Sequence, residues 1–291
     1  MTTSPRERPA PGPVLGIVAG KGPLPLAVAD AAAAEGRLVF IVGIRGRSMG
    51  DIERHPHAWV RYGALGRTLD LLKQAGCRDL VMIGPLDRPR LFHFWPDLLT
   101  LSLIPRLLRL LRRGDDGLLS GVVEYFEKEH GFRILPAEEV ASGLVAPPGL
   151  LTETGPTTEE ERDIAKGIAV VREHGAADLG QAAVIANGEV LAVEDQDGTD
   201  AMLRRIAERR PPDRPRQGVL VKLPKPGQER RVDLPTLGVL TVENAAAAGL
   251  VGIAYEARGA LIADVEGVAA CANELGLFVI GLPAGTSEAR A

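Results

Sequence analysis

Between Val221 and Thr236, Lys222, Lys225, Arg230 and Arg231 surround Glu229 and Asp233, and prolines and a glycine stiffen the run. Cations gathered in this way neutralise charge in phosphoryl transfer. A carboxylate among them can hold a metal ion or activate water. A charged surface loop is the alternative reading. A second cluster precedes it: Glu194, Asp195, Asp197 and Asp200 fall within seven residues, where a strand signal gives way to a helix signal. Carboxylates this dense repel one another unless solvated or bound to a cation. Hard oxygens in a loop suit Mg²⁺, which binds through few protein carboxylates plus phosphate and water. The alternative is a solvated turn in which Asp197 or Thr199 caps the next helix.

Near the start, Gly20-Lys21-Gly22 separates an apolar run from a helical pattern. A glycine turn there can present backbone N–H groups at the positive end of a helix, an arrangement that binds phosphate. Gly63-Ala-Leu-Gly66 offers a second such turn. The first is neither a dinucleotide fingerprint, because Pro25 stands where the third glycine belongs, nor a P-loop, because no Gly-Lys-Ser/Thr follows. An NAD(P)-dependent oxidoreductase is disfavoured further by Arg45 at the end of the second strand signal, where an acidic residue would be needed. Leu98 to Arg113 is apolar with a basic end, suited to a core helix or to a lipid tail or anionic membrane surface. The five histidines form no metal pattern, and no Gly-x-Ser-x-Gly elbow occurs.

The elements that must position these groups alternate. Val14 to Ala19, Leu38 to Ile44, Trp59 to Gly63 and Asp79 to Gly84 read as strands. Helices are expected at Leu24 to Glu35 and on to Ala75, then at Asp97 to Arg113 and Asp115 to Glu129. Short apolar strands separated by helices imply a parallel sheet covered on both faces. Residues 141–158 lack periodicity and read as a linker. A helix at Glu159 to His174 follows, then a hairpin around Asn187-Gly188, a helix at Thr199 to Glu208, a polar Pro-rich loop to Gln217 expected to be mobile, and alternating signals to Gly281. The expected fold is α/β with two α/β domains. Residues 14–140 form a Rossmann-like domain with a mostly parallel sheet, after a loose tail at 1–13. Residues 159–283 form a smaller mixed α/β domain carrying the charged motifs.

Composition narrows the function classes. Hydrophobic residues are 45% and charged residues 25%, which excludes a disordered or fibrous chain. Net charge is −4, so no global basic excess points to nucleic acid. Cys77 and Cys271 are far apart, fit no metal spacing, and read as buried thiols in a reducing cytoplasm. The first 13 residues hold no apolar signal-peptide core.

Taken together, Gly16-Ile-Val-Ala-Gly-Lys-Gly-Pro-Leu-Pro25, Gly114-Asp-Asp-Gly-Leu-Leu119, Val123-Glu-Tyr-Phe-Glu-Lys-Glu129, Val190-Leu-Ala-Val-Glu-Asp-Gln-Asp-Gly-Thr-Asp-Ala-Met-Leu-Arg-Arg205 and Val219-Leu-Val-Lys-Leu-Pro-Lys-Pro-Gly-Gln-Glu-Arg-Arg-Val-Asp-Leu-Pro-Thr-Leu-Gly238 closely resemble the LpxI-type UDP-2,3-diacylglucosamine pyrophosphatases of lipid A biosynthesis. The resemblance runs from Val14 to Leu282. It implies two α/β domains and Mg²⁺-dependent hydrolysis of UDP-2,3-diacylglucosamine to UMP and 2,3-diacylglucosamine 1-phosphate (lipid X). It places the family's key aspartate at Asp233, its Gly-Thr-Asp-Ala motif at Gly198 to Ala201, and its Lys-x-Pro-Lys-Pro-x-Gln motif at Lys222, Lys225 and Gln228. Lys21 departs from the pattern, standing where a small residue is common.

The resulting expectation assigns catalysis to Asp233, Asp200 and Lys222, and Mg²⁺ to Asp233, Asp200 and Asp197. Substrate contacts fall to Gly20, Lys21, Gly22, Thr199, Lys225, Gln228, Arg231 and Thr236. A cytoplasmic protein is expected, in transient peripheral contact with the inner membrane and compatible with a homodimer, with no nucleic-acid partner. A non-catalytic sensor of nucleotide sugars or lipid phosphates is the competing class. It would keep the cations without needing the carboxylates.

Overall fold

The computed structural model describes residues 13–85, 95–111, 115–177, 179–211, 213, 215–226 and 228–287. The expected tail at 1–13 lies almost wholly outside them, as does the basic end of the Leu98 helix at Arg112 and Arg113. The chain divides into two compact units, one of residues 1–110 and 120–141, the other of 111–119 and 142–291.

In the first unit, β1 (Val14–Ala19), α1 (Leu24–Ala34), β2 (Val39–Ile44), β3 (His57–Val60), α2 (Leu65–Gln74) and β4 (Cys77–Ile83) alternate as the apolar periodicity predicts. α3 (Leu98–Leu111), the second half of α4 (Asp115–Glu124), whose first half belongs to the other unit, a single π-helical turn at Tyr125–Glu129, β5 (Arg133–Ile134) and the short α5 (Ala137–Val140) complete it. All five strands are parallel, in the order β3-β2-β1-β4-β5. That is the order of the first five strands of a doubly wound sheet. The third strand starts two residues and ends three residues earlier than expected, because Gly63 turns the chain with φ +95°.

Asp79 on β4 is buried, and its two oxygens accept from Arg133 Nε and Nη2 at 2.9 Å each, with Arg37 on the second oxygen as well. The Arg133 hydrogen bonds, joined by the charge of both arginines, hold this carboxyl below the usual aspartate range. An aspartate depressed in the folded state adds stability that is complete above its unfolded value, about 3.9, and fades as pH falls through the folded value. Thermal midpoints from about pH 6 down to about pH 3 should therefore fall more steeply for the native chain than for Asp79→Asn. Parallel acid limbs would show that Asp79 contributes nothing to acid sensitivity.

In the second unit, β6 (Gly149–Leu150), α6 (Thr158–Ala176), β7 (Ala182–Ala186), β8 (Glu189–Val193), α7 (Thr199–Arg209), β9 (Val219–Lys222), β10 (Thr236–Leu237), α8 (Val239–Ala247), β11 (Gly252–Glu256), β12 (Leu261–Ile262), α9 (Val265–Glu274) and β13 (Phe278–Leu282) follow in sequence. The main sheet runs β6-β13-β11-β9-β7-β8 and is mixed. β13, β11 and β9 are mutually parallel, whereas β6 and β7 run against their neighbours. β10 and β12 form a separate parallel pair. With six strands in its main sheet against five, this unit is not the smaller one that the sequence suggests. Part of the difference is residues 141–158, which are not all connection: β6 hydrogen-bonds to β13.

The central strands β7, β9 and β11 are buried on both faces. Ala183, Ile185, Val219, Val221 and Phe278 pack with Ile164 and Val171 of α6. Val184, Leu220, Ile253, Tyr255 and Val279 pack with Met202, Leu203, Val242 and Val268 of α7, α8 and α9. Alternation with period two sends neighbouring residues to opposite layers. α6 starts at a capping box, Thr157 with Glu160, as Thr-x-x-Glu spacing allows. The Asn187-Gly188 hairpin forms with φ +52° and +74°, and Asp163 of α6 accepts from both turn amides. The Pro-rich loop before β9 is tied down at its end, where the Arg216 guanidinium donates to the carbonyls of Leu250 and Leu275.

Candidate active site

Lys222 is the last residue of β9, and the three parallel strands end on its side of the sheet. Ligands of parallel α/β sheets bind beyond those carboxyl ends. β7 runs the other way, so Gln181, just before it, lies at the same edge, and Glu194, just after β8, joins them. The backbone fixes this arrangement: Leu223 N donates to Gln181 O at 3.0 Å and Glu194 N to Ala182 O at 2.9 Å.

The Lys222 side chain is only 6% exposed, yet among the described residues it meets no carboxylate. Its Nζ donates to Thr199 Oγ1 at 3.2 Å and to the backbone oxygen of Thr236 at 3.0 Å. An ammonium has three protons, so one remains for a ligand. Burying a cation against neutral acceptors alone is costly, and an anion arriving there would relieve the cost. Thr236 thus meets Lys222 through its carbonyl.

Asp233 lies in the loop after β9, half-buried. Its backbone N donates to Glu229 O at 3.0 Å, closing a turn. Gln228, buried, donates from Nε2 to Asp233 Oδ2 at 2.6 Å and to Gln181 Oε1 at 3.5 Å, while its Oε1 accepts from Lys225 N at 3.0 Å. Gln228 therefore orients Asp233, and Gln181 links this loop to the end of β8. Gln181 carries no sequence signal, since a lone glutamine before a strand resembles any polar boundary residue. Arg231 is paired within the loop to Glu229, whose carboxyl the Arg231 hydrogen bond holds below its usual range.

The acidic cluster is not one site. Asp195 and Asp197 are exposed and both pair with Arg205, at 2.8 and 2.9 Å. Asp200 accepts from Asn244 Nδ2 of α8 at 3.1 Å. Glu194 is buried beneath Thr199. Neither Asp197 nor Thr199 caps α7, because Gly198, with φ +86°, occupies the cap. Among the described residues no three His, Cys, Asp or Glu side chains gather to hold a metal ion. Asp233, Asp200 and Asp197 are therefore not a shared ligand shell: each already has a different partner. What fits Mg²⁺ is a one-carboxylate site at Asp233 completed by phosphate and water, since that ion rarely uses an all-protein cage.

Gly20, Lys21 and Gly22 belong to the first unit, and their turn is committed largely to its own sheet. Gly20 N donates to Ile83 O at 2.8 Å and Lys21 N to Pro85 O at 3.0 Å. A methyl group on Gly20 would stand 2.0 Å from the Gly84 oxygen, so close strand packing explains that glycine. The second glycine turn is likewise filled from within. Asp97 Oδ2 accepts from Arg67 N at 3.0 Å and its Oδ1 from Thr100 N at 2.8 Å, so one carboxylate serves the first turns of both α2 and α3. These turns are structural before they can be anion sites.

Two hollows, of about 650 and 390 Å³, open beside α8 and α9 and along β8 and α7. Neither is lined by Lys222, Thr199 or Asp233. The position of Lys222 is the stronger indicator, because it joins a buried cation to the carboxyl edge of the sheet.

Family models match both parts of the chain: the LpxI N-terminal domain over residues 14–144 and the LpxI C-terminal domain over residues 147–280. The chain is 44% identical over 272 residues to the UDP-2,3-diacylglucosamine pyrophosphatase LpxI of Caulobacter vibrioides, covering 92% of this chain and 97% of that protein. The buried lysine and the oriented aspartate at the carboxyl edge of the second sheet are thus features of a chain that belongs to the LpxI family.

Proposed function

We propose that this protein hydrolyses the diphosphate of UDP-2,3-diacylglucosamine to UMP and 2,3-diacylglucosamine 1-phosphate, a step of lipid A biosynthesis. The observation that carries the reading within the chain is the buried Lys222 ammonium, held by two neutral oxygens beside the loop that presents Asp233. Lys222 donates its remaining proton to a diphosphate oxygen and offsets charge as the P–O bond breaks. Lys225 adds positive charge at the mouth of the same loop. Gln228 fixes the Asp233 carboxylate. Asp233 is the residue that would hold Mg²⁺, whose chemistry when bound is to neutralise the diphosphate. Water supplies the oxygen of the new P–O bond, and the nucleotide and the sugar phosphate part with one phosphate each.

The diacylated substrate resides in a bilayer, so the enzyme meets it at the cytoplasmic face of the inner membrane by reversible peripheral contact. Support for this comes from α3 and Trp95, three residues before it: Trp95, Leu98, Leu101 and Leu108 are exposed, Leu98 by 85%. Among the described residues no helix is long and apolar enough to cross a membrane.

The test is turnover of UDP-2,3-diacylglucosamine by the purified chain with Mg²⁺ and then with EDTA. UMP release that stops in EDTA and returns with Mg²⁺ is expected. Release unaffected by EDTA would overturn the metal assignment. Tight binding without release would favour the sensor.

A further inference from the structure

Glu194 takes no part in the chemistry described so far, yet its placement is restrictive. It is 8% exposed, and both of its oxygens are used: Oε1 accepts from Thr199 Oγ1 at 2.8 Å and Oε2 from Gln181 N at 2.9 Å. Two donors face it, so the carboxyl is an ionised acceptor. The Thr199 hydroxyl has a single proton, and it goes to Glu194. Thr199 Oγ1 can then only accept, which is what the Lys222 ammonium requires of it. The polarity of the chain Lys222 to Thr199 to Glu194 is fixed from its acidic end.

Resting on the function proposed above, we infer that Glu194 is a positioning residue: one hydroxyl removed, it supplies the counter-charge for Lys222 and locks the threonine that aims the ammonium at the diphosphate. A carboxylate in direct contact would consume the proton meant for substrate. Placed behind Thr199, it balances the charge and leaves that proton available. The fold makes the placement rigid, because Gly180 backs directly onto the Glu194 backbone, with room for no side chain there. The role extends beyond the lysine. The Gln181 amide that holds Glu194 belongs to the residue whose side chain receives Gln228, the partner of Asp233.

The experiment compares Glu194→Gln, Thr199→Val, Thr199→Ser and the Glu194→Gln/Thr199→Val double variant, with kcat and KM for UDP-2,3-diacylglucosamine resolved and thermal midpoints recorded. Glu194→Gln and Thr199→Val should each lower kcat about tenfold or more and raise KM by a smaller factor, the cost of misplacing a group that meets the diphosphate on binding and more strongly in the transition state. Thr199→Ser should restore most of the rate. The double variant should be no slower than the slower single variant, since both break one relay. Multiplying losses, or kcat within about twofold of native in either single variant, would overturn the inference. If Glu194→Gln does not fold, the Thr199→Val and Thr199→Ser pair decides alone, because both keep the carboxylate. A native chain that releases no UMP would defeat the function instead. Calorimetry with UDP then tests the relay, which requires weaker binding by Thr199→Val and is overturned by equal binding.

Discussion

Asp233→Ala should reduce kcat by about 10³-fold or more while the protein remains folded. The magnitude follows from removing the carboxylate that Gln228 orients in the loop after β9. The intact fold follows from how the loop is closed. Its turn rests on backbone bonds from Val232 N and Asp233 N to Glu229 O, neither of which involves the side chain. Gln228 would lose one acceptor but keep Gln181 and its bond from Lys225 N. Asp233→Asn sharpens the test. It preserves an oxygen for Gln228 and removes only the charge, so a loss equal to that of the alanine variant assigns the effect to the charge. Circular dichroism and thermal melting would verify the fold. An Asp233→Ala protein within about tenfold of native kcat would show that another group carries the reaction.

The fold was legible where one local rule sufficed. β1 and the Asn187-Gly188 hairpin follow from short apolar runs and from a dipeptide that accepts positive φ. The charged loop was legible too, because Lys222, Gln228 and Asp233 lie close in sequence. Charge density misled where it ignored neighbours. The Glu194 to Asp200 cluster reads as one cation site, yet Arg205 of α7 and Asn244 of α8 draw its members apart. These partners arrive through the fold, and no spacing within the cluster announces them. The glycine turns misled for a related reason. A turn at a strand end looks like an anion nest until the next strand arrives, and Ile83, Pro85 and Asp97 then fill it. β6 escaped notice because two residues give no periodicity to read.

Lys222→Met should cost both activity and stability. The substitution keeps the unbranched stem and the approximate volume but deletes the ammonium. The native lysine sits buried between Thr199 Oγ1 and the Thr236 carbonyl, with Glu194 as counter-charge behind the threonine. Removing one member of a buried charge pair leaves the other uncompensated, here the Glu194 carboxylate, and two acceptors lose a donor. The thermal midpoint should therefore fall, and kcat/KM should fall by about 10²- to 10³-fold, the scale of losing a charged donor at a developing anion. Lys222→Arg should recover little, because a planar guanidinium cannot take the place of a compact ammonium set between two oxygens. A marked fall in the melting temperature of Lys222→Met with activity intact would reverse the assignment and make Lys222 a structural cation. An inactive variant that still folds would mean that the fold keeps a buried lysine at the end of β9 because the substrate's phosphates complete its coordination.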